Sequence, residues 1–201
     1  MLNIYFSDYF EVSPDTVRQH GAFNVSLIND LPLFIDPFLL FNSENDEYKY
    51  LHDQIIKYVV FLKSKSTVLL SKGLLNSWFH FPEVKQTWFG YSKSGNRGSG
   101  LGPKFASALN RNLTFVLKDF GSETISKGSH LEKLCLIKDG VGKDNISDFT
   151  TNLIKGYLLE YTQSFAIKHI RPELRKCVTV NKVNFNYKTE TWESGLYELP
   201  Y

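Results

Sequence analysis

Sulfur is scarce in this chain: 201 residues contain two cysteines and one methionine. Cys135 and Cys177 are too few and too widely separated for a zinc framework or a disulfide scaffold. The simple expectation is two buried thiols in a reducing cytoplasm. Charge of one sign is also lacking. The formal net charge is +2, so no global basic field advertises nucleic acid, and any such contact needs a local patch. No apolar run approaches the length of a membrane span, and the opening residues Met1 to Asp8 lack a signal-peptide pattern. Internal repeats and low-complexity linkers are absent too. A cytoplasmic protein with no membrane partner is expected.

Aromatic residues are abundant, with 16 Phe, 11 Tyr and 3 Trp, which supplies large buried area from few side chains. The length suits one well-buried core better than two. Residues 1–201 are therefore expected to form a single domain, either complete or the front part of a longer protein. Residues 1–30 read as irregular or weakly stranded, with Ser13-Pro14-Asp15 marking a turn or helix start. Leu31 to Ile35 is a short bulky apolar run that reads as a buried strand. It stops at Asp36-Pro37, where Phe38-Leu39-Leu40 begins a helical turn. Tyr48, Leu51, Ile55, Tyr58, Val59 and Leu62 recur at helical spacing and predict an amphipathic helix over 47–63. Residues 66–78 predict another helix, and Trp78, Phe79, His80 and Phe81 are expected to close the core.

Thr87 to Tyr91 reads as a strand entering a glycine-rich segment, after which Pro103 opens a helix to about Leu117. Leu131 to Ile137 is a further strand candidate. Apolar residues at 149, 153, 154, 157, 158, 161 and 165 predict one long helix from Ile146 to about His169, before Arg171-Pro172. Val178 to Tyr187 reads as a strand. Strands interleaved with helices imply an α+β or mixed α/β fold, a small sheet flanked by several helices.

The richest stretch runs from Gly140 through Asp144, Asn145, Ser147 and Asp148 to Asn152, a polar turn feeding that helix. Asp148, Asn152 and Lys155 would share one face of an unbroken helix, with Asp144 just ahead of it. Two carboxylates and an amide suit Mg²⁺ or Mn²⁺, which take oxygen ligands and leave places for water and phosphate. A plainer reading has Asn145 or Ser147 capping the helix, Asp148 reaching back from the third position, and Asp144 favouring the positive helix end. Asp36 has two readings as well: a metal ligand at a strand end, or an N-cap with Pro37 at the first helical position.

The segment Gly90 to Lys104 holds five glycines and three cations ahead of a helix. Its backbone N–H groups, with Lys93, Arg97 and Lys104, could cradle phosphate. It is not a P-loop, because Leu101-Gly102 stands where Lys-Ser/Thr is required. Glu83-Val84-Lys85 satisfies half of a restriction-type nuclease pattern and carries little information alone. None of the five histidines pairs at metal-ligand spacing, and no organic cofactor is signalled.

Several blocks considered together, Leu33 to Pro37, Phe89 to Ser92 with the glycines through Gly102, Gly140 to Asp148, and Tyr161-Thr162-Gln163, resemble a family of uncharacterised bacterial proteins associated with mobile-element or phage-defence neighbourhoods. The resemblance implies a bacterial defence setting and carries no activity over. Two functions follow from the residues. One is a metal-dependent, nuclease-like phosphodiester hydrolase, with Asp36, Asp144 and Asp148 on Mg²⁺ or Mn²⁺, Asn152 assisting, and Lys93, Arg97 and Lys104 holding phosphates. The other is a non-catalytic subunit of a larger complex that binds a nucleotide, nucleic acid or protein.

Overall fold

The computed structural model describes residues 4–29, 33–66, 69–82, 84, 101–116 and 142–201. These form eight α-helices, a 3₁₀ turn and one two-stranded antiparallel sheet, an α+β fold as expected. The expected strands at Thr87–Tyr91 and Leu131–Ile137, and the glycine-rich segment up to Gly100, lie outside the described residues. The chain divides into two compact units, one of Met1–Leu33, Val84–Gly98 and Lys155–Tyr201, the other of Phe34–Glu83 and Ser99–Ile154.

The second unit is helical: α3 (Pro37–Phe41), α4 (Asp46–Lys65), α5 (Lys72–Phe79), α6 (Pro103–Val116) and α7 (Lys143–Leu153), with α1 (Phe6–Tyr9) and α2 (Pro14–Gln19) belonging to the first unit. Each start is chemically marked. Asp36, Asn45 and Ser71 accept a backbone N–H from the first turns of α3, α4 and α5, pairing donors that a helix cannot satisfy internally. Pro103 opens α6 as the sequence predicts. The apolar stripe of α4 is buried at Leu51, Ile55, Tyr58, Val59 and Leu62.

That stripe meets an aromatic cluster. Trp78, Phe79 and Phe81 are buried. The Tyr58 hydroxyl donates to the Trp78 carbonyl at 2.8 Å. Phe81 stands edge-on to Phe149 of α7, ring centroids 4.6 Å apart. The backbone N–H of Leu101 donates to the Phe81 carbonyl at 2.9 Å. Residues 33–36 form no strand, contrary to the sequence reading. The Ile35 N–H is bonded instead to a helix side chain, the Ser147 hydroxyl, at 2.9 Å.

The first unit joins α1 and α2 to α8 (Lys155–His169), and α8 to a hairpin of β1 (Arg175–Asn186) and β2 (Thr191–Pro200). Phe10, Val17, Phe165, Ala166 and Ile170 make one apolar cluster. Leu159, Val180, Val183, Tyr197 and Leu199 make a second, where the inner hairpin face covers α8. β1 was legible and β2 was not. Cys177 is exposed on the outer hairpin face opposite Glu198, so the expectation of a buried thiol fails there. Cys135 lies outside the described residues.

The predicted long helix is in fact two. The chain leaves helical geometry at Ile154 (φ −106°, ψ 16°) before α8 starts at Lys155. Gly156 follows at once, and a Cβ there would stand 2.5 Å from the Asn184 carboxamide oxygen, so any larger residue requires the Asn184 side chain to move. Truncating Phe149, 1% exposed, opens a cavity in the helical unit. Phe149→Ala should cost about 3–5 kcal/mol, read as a lowered urea midpoint with helical circular dichroism retained in native buffer.

Candidate functional site

The Gly142–Asn152 turn starts its helix earlier than the sequence reading placed it. Gly142 is the N-cap, and its N–H donates back to Asn145 Oδ1 at 3.0 Å. Asn145 is therefore the reaching-back residue at the third position, in place of Asp148, and Ser147 is not a cap. Asp144 is exposed in the first turn, where the positive helix end favours a carboxylate. Ser147 is buried and accepts the Ile35 N–H. The Lys143 ammonium lies 4.7 Å from the centre of the Phe34 ring. The segment 34–36 is thus laid along the face that carries Lys143 and Ser147, four residues apart.

Asp36 is the N-cap of α3, its Oδ1 accepting from Phe38 N at 2.9 Å. Asn152 is buried, and its Nδ2 donates to the Pro82 and Asp148 carbonyls, each at 2.8 Å. The bond to Pro82 fixes the end of α7 to the chain after α5, and the one to Asp148 closes back on α7 itself. Among the described residues, no group of three His, Cys, Asp or Glu side chains is arranged to hold a metal ion. Asp36, Asp144 and Asp148 are all described, so in this conformation they do not gather round one cation. Lys155 does not extend the face of Asp148 and Asn152, because the helix breaks between them.

Of the phosphate candidates, Lys93 and Arg97 lie outside the described residues, as do Glu83 and Lys85 of the nuclease-like tripeptide. Lys104 is exposed in the first turn of α6. Leu101, which takes the place of the P-loop lysine, is a core residue, 2% exposed and bonded to Phe81.

Sequence reading placed Lys155 on a polar face with Asp148 and Asn152 and missed what it does. It is 5% exposed, and its ammonium donates to the Asn181 carbonyl at 3.0 Å. Asn181 lies where the register of the hairpin shifts between Val180 and Asn184. Such a bulge removes groups from the ladder, and Lys155 supplies one donor for a carbonyl there. The next residue, Lys182, adopts φ 55°, a left-handed conformation unusual for a side chain of this size. Burial first, and then the charge of Lys182, lower Lys155 from 10.5 to about 8. Burial lowers Lys182 as well. A lysine on an otherwise unremarkable helix start gives no sequence signal for this, since the bulge is set by tertiary packing.

The exposed apolar residues form the other notable feature. On α3, Leu39 is 66% exposed and Phe38 43%, and on α4 Tyr50 is 60% exposed. α3 packs on α4, and the Phe41 ring stands 5.1 Å from His52. Tyr48, also exposed, is one turn before His52 on the same helix face.

With these features in place, comparison with known proteins assigns the chain to a family. Residues 11–201 match the family described as Domain of unknown function (DUF8370), and the chain belongs to it. No curated protein and no solved structure matches the chain. No helix among the described residues is long and apolar enough to cross a membrane.

The buried lysine gives a definite pH dependence. Its proton is held to 10.5 in the unfolded chain but only to about 8 in the folded one, so the unfolded state binds more protons between those values. Stability should therefore rise with pH across that window. Tyr187 acts oppositely, because burial raises it to about 12 and the unfolded chain loses that proton first, near 10. Urea midpoints should climb from pH 8 to about 10 and fall above it. Lys155→Met should flatten the climb and leave the fall.

Proposed function

We propose that this family member is a non-catalytic binding subunit that docks a protein partner on the corner formed by α3 and α4. The carrying observation is the exposure of Phe38 and Leu39 on α3 and of Tyr48 and Tyr50 on α4, two helices that pack on each other. Single exposed apolar residues are ordinary, but several on one surface mark an interaction site. Burying such a side chain is worth about 1.5–3 kcal/mol, so a few of them offset much of the cost of association. The groups first considered for chemistry support this reading by what they already do. Asp36 caps α3, and Asn152 ties α7 to Pro82. A cytoplasmic assembly in bacterial phage defence is the setting we propose, in keeping with the sequence resemblance.

The metal-dependent phosphodiester hydrolase remains the competing reading. It is favoured by the Ile35–Ser147 bond, which brings the Asp36 segment to the helix carrying Asp144 and Asp148. One experiment separates the two. A photo-reactive amino acid at position 39 in the full chain, expressed in its native cells, should give one discrete crosslinked protein, and the same group at Lys188 should not. Labelled DNA and RNA should stay intact with Mg²⁺ or Mn²⁺. Metal-dependent cleavage that disappears in Asp148→Ala would overturn the binding proposal in favour of the hydrolase.

A further inference from the structure

The hairpin of the first unit has one edge that is protected and one that is open. Where its strands meet η-turn and chain end, the Tyr201 N–H donates to the Leu174 carbonyl at 3.0 Å. Bonded and non-bonded pairs alternate along an antiparallel ladder. Counted through the register from that pair, Lys176, Val178 and Val180 bond to β2, and Cys177 and Thr179 turn their N–H and C=O groups outward. β2 obeys the same alternation. The Glu198 N–H, opposite Cys177, leaves the ladder for Gln163 Oε1 of α8 at 2.7 Å. Pro200, at the next outward position, has no N–H to offer. The β2 edge is therefore held by α8 and blunted by proline.

The β1 edge has neither protection. Among the described residues, β1 pairs with β2 alone. Lys176, Cys177 and Thr179 are exposed, and neither outward position carries a charge. Both ends of the open stretch are closed from within the chain. The Arg175 N–H donates to the Pro172 carbonyl, and the Asn181 carbonyl accepts from Lys155 at 3.0 Å.

An edge of unpaired groups is a template for a further strand, and the pattern of groups already used selects which one. We infer that this edge receives the same edge of a second copy of the chain, antiparallel about a two-fold axis at Val178. That register sets Cys177 of each chain against Thr179 of the other, so every outward N–H and C=O of those residues is paired. The groups already used, Arg175 N–H and Asn181 C=O, fall opposite one another, and neither is left an orphan. Lys176 faces Val180 rather than its own counterpart, which keeps like charges from meeting across the join. The two hairpins become one four-stranded sheet, closed by its symmetry. The contact is short, so the dimer is weak and concentration-dependent. It does not rest on the docking reading for α3 and α4.

The test is sedimentation equilibrium of the full chain with a thiol reductant present. The mass should rise from one chain toward two with concentration, and amide exchange at Cys177 and Thr179 should slow severalfold over the same range. Cys177→Lys with Thr179→Lys sets cations against each other and should abolish association. Cys177→Lys with Thr179→Glu sets opposite charges together and should restore it. Both are exposed positions, and unchanged thermal melts would show the fold intact. A single-chain mass up to ~1 mM, or association indifferent to the two-lysine variant, would overturn the inference. A dimer whose Cys177 and Thr179 amides exchange as fast as in the monomer would overturn it too.

Discussion

The helical unit depends on Phe81. Its backbone carbonyl anchors Leu101 ahead of α6, and its ring meets Tyr58 of α4 and Phe149 of α7 edge-on, at 6.1 and 4.6 Å. A residue between elements thus contacts two helices through its side chain and the lead-in to a third through its peptide group. Edge-on rings add directionality to the large area that each buries, which fixes the helices in angle as well as in distance. The neighbouring bond from Tyr58 to the Trp78 carbonyl satisfies the only polar atom of an otherwise apolar ring. Burying tyrosine there without it would leave a costly unpaired hydroxyl.

The first unit is organised by a different constraint, the irregular register of its hairpin. β1 has more residues than β2 between Val180 and Asn184, so Val183 still reaches the cluster around Leu159 while the ladder is interrupted beside it. The interruption exposes a carbonyl within a packed region, and Lys155 is the residue that meets it. A cation is a demanding choice for a site 5% exposed. The site answers by lowering the proton affinity of the amine, which still donates a hydrogen bond when neutral.

What was legible followed from local chemistry. The stripe of α4, the proline start of α6, the cap of α3 and the apolar alternation of β1 all arise from residues close in sequence, and each appears in the structure near its expected place. What was not legible needed a distant partner. Leu33 to Ile35 has strand composition, yet Ile35 finds a serine hydroxyl on α7 rather than a neighbouring strand. The periodicity from Phe149 to Phe165 runs through Ile154 unbroken, because apolar spacing reports burial on both sides of the break. Gly156, with Asn184 pressed against it, was the one local hint. β2 was hidden because Ser194 and Gly195 interrupt its alternation, and only pairing with β1 makes Trp192 to Leu199 extended.

The acidic residues show why composition alone misleads about chemistry. A carboxylate near a glycine turn has three uses: ligand, cap, or surface charge. The first requires convergence from separate segments, which no local pattern can guarantee. Asp36 demonstrates the second, since Pro37 at the first helical position fixes a backbone in which the preceding side chain faces the Phe38 N–H. Glu44 and Asp53 illustrate the third. They sit on the solvent side of an element whose exposed apolar residues are expensive to leave in water, and they are the same sign as their neighbours Asp46 and Glu47.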